Sequence, residues 1–146
     1  MPSVNKSVLV PFTAAQMYAL VDAVEEYPRF LPWCGGATVH ERTNVTTVAT
    51  IVISYAKVSQ AFTTRNLKVA NESMTIELVD GPFRELRGVW RFLALGQDGC
   101  KVTFELNYHF LNAVIESVIG PVFEMITSTF VDRFVTRAEA VYRPAP

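Results

Sequence analysis

The stretch from Ala113 to Tyr142 constrains this chain more than any other. Apolar residues recur through it three or four apart, at Ile115, Ile119, Phe123, Ile126, Phe130, Phe134, Ala138 and Val141. That spacing is the period of an α-helix. At about 1.5 Å rise per residue the helix would span roughly 45 Å, the width of a small domain. Its second half carries Glu124, Ser128, Asp132, Thr136 and Glu139 on the opposite face. The first half does not divide so cleanly, because from Val114 to Ile126 only Glu116, Ser117 and Glu124 are polar. A helix apolar nearly all round has to be covered on most sides, by protein or by something the protein binds. Gly120-Pro121 falls inside this half, where proline removes a backbone donor and tends to kink the helix.

What could cover such a helix lies upstream. Ser3 to Val10 alternates weakly and stops at Pro11, as a first strand would. Thr13 suits the N-cap of a helix over Ala14 to Val24, with Met17, Leu20, Val21 and Val24 on its apolar face. Glu25 to Gly36 mixes two prolines and two glycines with Tyr27, Phe30 and Trp33, which predicts a short helical turn and a buried elbow. The period then becomes two. Strands are expected over Ala37–Arg42, Val45–Tyr55, Val58–Leu67, Ser73–Val79, Arg84–Leu95 and Cys100–Phe110. In the last of these Val102, Phe104, Leu106, Tyr108 and Phe110 point one way and Lys101, Thr103, Glu105, Asn107 and His109 the other. Asn44, Asn71, Asp80-Gly81-Pro82 and Gly96 to Gly99 mark the turns. Short connections imply an antiparallel meander. The fold class is therefore α+β: one domain over residues 1–146, a seven-stranded curved antiparallel sheet wrapped around a long C-terminal helix.

Composition narrows the function. The chain has 146 residues, half of them hydrophobic, and can bury about two-thirds of its unfolded surface. A net charge of −1 gives no bulk pull toward DNA or an anionic membrane. Glu116 and Glu124 interrupt the longest apolar runs, so no stretch is expected to reach the ~20 residues of a membrane span. Met1 to Pro11 is too short and too alternating for a signal peptide, and a cytoplasmic location follows. Cys34 and Cys100 have no metal-ligand spacing and read as buried reduced thiols.

No catalytic or metal-binding set assembles. His40 and His109 fall on polar strand positions, and no motif for a nucleophile, phosphate loop or zinc site is present. The chain therefore reads as a non-enzyme. Apolar wall material is abundant instead. A ligand cavity under the helix would be lined by Phe62, Trp90, Phe92, Phe104 and Tyr108 from the strands and Trp33 from the elbow. Val114, Val118, Val122 and Met125 would close it from the helix. Pockets of this kind need a few placed polar groups, and Arg65 is the candidate anchor, with Arg87 and Arg91 behind it. Lys57, Arg65 and Lys68 on one hairpin and Arg84, Arg87 and Arg91 on another stretch read as solvated faces, since the aromatics lie on the opposite side.

Five blocks in register carry a resemblance. They are Ser7 to Phe12, Gln16 to Val21, Tyr27-Pro28-Arg29-Phe30-Leu31-Pro32-Trp33-Cys34, Phe62-Thr63-Thr64-Arg65-Asn66 and Leu78 to Phe83. Together they resemble the coenzyme Q-binding START-domain family, within the polyketide cyclase and dehydrase-like proteins. The resemblance implies a helix-grip fold and two different roles. One is a carrier of ubiquinone or a similar prenyl lipid, held without a covalent cofactor in the cavity, supporting respiration through transient contact with the inner membrane. The other belongs to a bacterial branch that includes a ribosome-association toxin. That role implies binding to the large ribosomal subunit and blocking subunit joining. On sequence the ligand-binding role is the first expectation, ribosome association the alternative, and a cyclase-type activity the least supported.

Overall fold

The computed structural model describes residues 3–142. Its elements are β1 (Ser3–Val10), α1 (Ala14–Asp22), a 3₁₀ turn (Val24–Arg29), β2 (Cys34–Arg42), β3 (Thr46–Tyr55), β4 (Val58–Val69), β5 (Ser73–Asp80), β6 (Phe83–Leu95), β7 (Gly99–Phe110) and α2 (Ala113–Tyr142). The strands form one antiparallel sheet in the order β1-β7-β6-β5-β4-β3-β2. β2 to β7 run as a meander, and β1 returns to pair with β7. This is the expected curved sheet around a long helix.

The alternation in β7 decides which face is inside. Cys100, Val102, Phe104, Leu106, Tyr108 and Phe110 are buried, and register places Trp90 beside Phe104 and Phe92 beside Val102 on the same face. Gly88 sits opposite Leu106 on that face, where a Cβ would come within 3.0 Å of Leu106 Cδ1 and 3.1 Å of the Glu105 carbonyl. A side chain there would push apart the strands beneath the helix.

Thr13 caps α1 as expected, its hydroxyl accepting from Gln16 N at 3.1 Å while Gln16 Oε1 accepts from Thr13 N at 2.8 Å. The helix ends at Asp22 rather than Val24, because Ala23 leaves helical geometry (φ −81°, ψ 63°). Val24 then starts the 3₁₀ turn, where the Tyr27 hydroxyl donates to the Val21 carbonyl. β2 starts at Cys34, three residues before its alternation does. Gly35 and Gly36 hide the strand: a Cβ on Gly35 would meet Ser54 Cβ at 2.7 Å, and the register shifts between Cys34 and Gly36.

α2 runs through Gly120-Pro121 without interruption. Its N-terminus is capped by Asn112, whose Oδ1 accepts from Ile115 N at 2.9 Å. Contrary to the sequence expectation, the helix is long and apolar enough to cross a membrane by length and composition, because averaging over it dilutes Glu116 and Glu124. Here it lies in the concave sheet, with Ile119, Phe123, Ile126, Thr127, Val131, Phe134 and Ala138 buried.

Lys68 does not belong to an outer basic hairpin. It stands on the inner face of β4 with its side chain 3% exposed, and Nζ lies 3.1 and 3.4 Å from the two Asp22 carboxylate oxygens. Thr47 Oγ1 donates to the same carboxylate at 3.4 Å. The pair ties the end of α1 to β4. Removing one partner of a buried pair leaves an uncompensated charge, at a cost of about 3–5 kcal/mol. Asp22 is partly solvated, so Asp22→Ala is expected to lower the unfolding free energy in urea by about 3 kcal/mol. Adding Lys68→Met should recover most of that loss. A single variant as stable as the parent would show the pair to be dispensable.

Candidate functional site

Aromatic rings hold α2 to the sheet at two places. Near its C-terminal half Phe130 and Phe134 meet Trp90 (5.7 and 5.3 Å between ring centroids) and Phe134 also meets Tyr27 and Phe30. Phe104 completes this cluster, 4.5 Å from Trp90 and 5.3 Å from Phe130. Two helical turns toward the N-terminus, Phe123 packs on Tyr108 at 4.7 Å and Phe83 at 5.1 Å. Such tilted and edge-on pairs contribute about 0.5–1.5 kcal/mol each beyond the area they bury.

Between the clusters lies a cavity of about 70 Å³. Phe123, Ile126, Thr127 and Phe130 roof it, and Ala49, Ile51, Ile53, Phe62, Thr64, Asn66, Met74, Ile76 and Leu86 form much of its floor. Val21, Val24, Tyr27 and Trp33 wall it from the α1 and elbow side. Sites that enclose a drug-sized molecule have roughly 300–1,000 Å³. An occupant larger than a few atoms therefore requires the roof or the elbow to move outward.

Of the residues proposed from sequence, Trp33, Phe62, Trp90 and Phe104 line this cavity. Phe92 does not, since it stacks on Trp90 and meets Tyr18 of α1 edge-on at 5.8 Å. Tyr108 lines a different depression, beside β1. The helix contribution is a correction. Val114 and Val118 are 73% and 58% exposed, and Val122 and Met125 are half-buried outside the cavity wall. The stripe that faces the core in the second half of α2 simply continues into the first half as Ile119, Phe123 and Ile126, and it leaves Val114 and Val118 on the solvent side and Val122 and Met125 on its flanks.

Arg65 is likewise outside, exposed on the outer face of β4 opposite Val48 and Glu77. Counting by two from Phe62 reaches Thr64, Asn66 and Lys68, all buried. The polar groups of the cavity are accordingly Thr64, Asn66 and Thr127, and strand parity would have found the first two.

These groups are weakly engaged. Asn66 Nδ2 donates to Met74 Sδ at 3.6 Å, and Asn66 Oδ1 accepts from Thr64 Oγ1 at 3.4 Å, both long. Thr127 Oγ1 donates back to the Glu124 carbonyl at 3.2 Å. Trp33 Nε1 is buried without an acceptor among the described residues. A buried donor left unpaired costs about 1–3 kcal/mol. The lining residues thus include an indole whose N–H lacks an acceptor among the described residues and an amide whose bonds are weak.

Titratable groups add little reactivity. Burial pushes the Cys34 and Cys100 thiols up, so both stay protonated and poorly nucleophilic near neutral pH. Burial, with Asp22 nearby, holds the Tyr27 phenol far above its ordinary range. His40 is exposed, its Nε2 2.7 Å from Thr50 Oγ1 on the outer face. Among the described residues no group of three His, Cys, Asp or Glu side chains is placed to hold a metal ion. The chemistry this arrangement supports is binding of an apolar molecule that bears a hydrogen-bond acceptor. Phe130→Ala is expected to cost about 3 kcal/mol and to widen the cavity toward the ~150 Å³ that admits benzene or xenon. Thermal unfolding and benzene-induced shifts in NMR spectra would check both parts.

A family model described as polyketide cyclase / dehydrase and lipid transport matches residues 10–135. The ribosome association toxin RatA of Escherichia coli (strain K12) is 42% identical across 97% of this chain and 90% of its own length. More distantly, the mitochondrial coenzyme Q-binding protein COQ10 homolog B of Xenopus laevis is 24% identical across 94% of this chain and 58% of its own. The ZhuI aromatase/cyclase from Streptomyces sp. R1128 superposes with a TM-score of 0.84 over 97% of this chain and 96% of that one. Its 14% identity bears on the fold alone. The extent of the family match and the identity to RatA lead to one conclusion: this chain belongs to the polyketide cyclase / dehydrase and lipid transport family.

Proposed function

We propose that this chain is a cytoplasmic ribosome-association protein that binds the large ribosomal subunit and keeps the small subunit from joining. The observation that carries this reading is the 42% identity to a protein named ribosome association toxin, spread over 97% of the chain. Two features of the fold support it. A cavity of about 70 Å³ is well below the size of a small-molecule carrier site, so the resting fold is not shaped around a prenyl lipid. The outer face of β4 to β6 is exposed and carries Arg65 and Arg87 on either side of Glu77, with Arg91 paired to Glu105 at 3.4 Å. Mixed charge of this kind suits a local contact rather than a wide RNA footprint. The relatives are named for association and binding, and the reading is non-enzymatic.

Overexpression followed by sucrose-gradient profiling tests it. Joined ribosomes should fall, free subunits should rise, and the protein should sediment with the large subunit. Arg65→Glu with Arg87→Glu should lower that co-sedimentation roughly tenfold through lost phosphate contacts. Unchanged subunit proportions on overexpression would overturn the reading.

One observation favours a second reading, the binding of ubiquinone or a similar prenyl lipid: Trp33, a residue of the cavity lining, has a buried indole N–H without a partner among the described residues. A quinone carbonyl is an acceptor of the kind this wall seeks, and the apolar surroundings suit the ring and the start of the chain. Lipids extracted from purified protein, examined by mass spectrometry, and titration with a short-chain ubiquinone test it. Trp33→Phe and Asn66→Leu should each weaken binding roughly tenfold, the worth of one well-made hydrogen bond. A parent protein that retains no quinone and shows no affinity for one would sink this second reading.

A further inference from the structure

A groove separate from the cavity runs between the first half of α2 and the β1 edge of the sheet, with a volume of about 620 Å³. Val4, Tyr108 and Phe110 give it apolar walls, and the helix side is formed by Glu116, Gly120, Pro121 and Glu124. Beyond it the Lys6–Asp132 ion pair, 3.0 Å long, bridges β1 to α2. The helix crest beside the groove is apolar too. Val114, Val118 and Pro121 are exposed and spaced by four and three, so they form one stripe along the helix, continued by the half-buried Met125. From Ala113 to Pro121 the one buried residue is Ile119. Glu116 and Glu124 line this region, both are exposed, and neither has an ion-pair partner among the described residues.

Large exposed apolar surface beside a groove marks an interaction site, and the charges on it select the partner. Two carboxylates repel the phosphates of RNA and the headgroups of an anionic membrane. A second copy docked about a two-fold axis would bring the same carboxylates onto the same apolar patch. A partner that covers the stripe and compensates both glutamates is apolar on one side and basic on the other. We propose that the groove and the adjoining crest of α2 dock a cationic amphipathic segment of another protein. Its apolar side covers Val114, Val118 and Pro121, and its Lys or Arg side chains meet Glu116 and Glu124. The proposal stands apart from the ribosome reading, which places its contacts on the outer face of the sheet.

The probe is a synthetic Leu/Lys helical peptide of about four turns, titrated into the labelled full chain and followed by backbone NMR. The expected result is a set of shifts confined to Val114–Glu124 and the start of β1, with affinity that falls as salt rises. Glu116→Gln with Glu124→Gln should weaken binding roughly tenfold while leaving the circular dichroism spectrum and melting temperature unchanged. Val118→Ser should weaken it as well. Equal binding of a Leu/Glu peptide, shifts centred elsewhere, or indifference to the two glutamine substitutions would overturn the proposal. So would phosphatidylglycerol vesicles or self-association engaging this surface with equal or greater affinity.

Discussion

Aromatic contact between α2 and the sheet is the interaction on which the rest of the structure depends. α2 is one continuous helix of thirty residues, while the sheet beneath it is bent. Register shifts at Cys34/Gly36, Val39/Glu41, Thr63/Thr64 and Phe83/Glu85 bend its strands and deepen its concavity. A stiff rod laid in a concave surface that does not match its curvature touches best at separated places. Here those places are Phe123 against Phe83 and Tyr108, and Phe130 with Phe134 against Trp90 and Phe104. The space between them is the cavity. It is a consequence of geometry before it is a site, and the weakly bonded polar groups in its wall are what give it chemical character.

The same helix explains the outer surface. Seven of its thirty residues are buried, because a sheet on one side can cover only one stripe. In the second half the remainder is mostly polar, with Phe130, Val135 and Tyr142 partly covered and Val141 exposed. In the first half the remainder includes Val114 and Val118, which the fold leaves outward-facing. The need to cover an all-round apolar helix is therefore met on one side only.

This division was partly legible in the sequence. Clean alternation in β7 and the three-to-four spacing of Ile115 through Ala138 identified both partners of the core and the fold class. The errors arose where a pattern lacked contrast. Between Val114 and Ile126 almost nothing is polar, so hydrophobicity alone does not orient the helix. The phase had to be carried back from Phe130, Phe134 and Ala138, and doing so selects Ile119, Phe123 and Ile126. For β4 the contrast was present but outweighed by chemistry. Arg65 stands out as a charge, although it is out of phase with Phe62 on its own strand. Lys68 was in phase, and its burial followed from parity, but its partner Asp22 lies 46 residues away and no local pattern could name it. Gly35 and Gly36 hid the start of β2 because glycine has no side chain to alternate.

Cavity and groove share a wall. Thr127 lines both, and Phe123 to Thr127, the segment that roofs the cavity, is also the segment whose other side carries Glu124 toward the groove. A molecule too large for about 70 Å³ can enter only if this roof or the elbow moves. Movement of the roof displaces Glu124 and Pro121 relative to the β1 edge. A cavity ligand and a groove partner would then bias the same helix position, and their coupling would have to be reciprocal: whatever factor the ligand imposes on the partner's affinity, the partner imposes on the ligand's. The aromatic clusters set the limits of that movement. The Phe130–Phe134 cluster, which unites rings from the 3₁₀ turn, β6 and β7, is the more extensively tied. Phe123 is held by rings near the ends of β6 and β7 and lies next to the exposed half of the helix. A displacement that opened the cavity would therefore be larger toward Val114, the end of α2 on which the groove and the apolar crest lie.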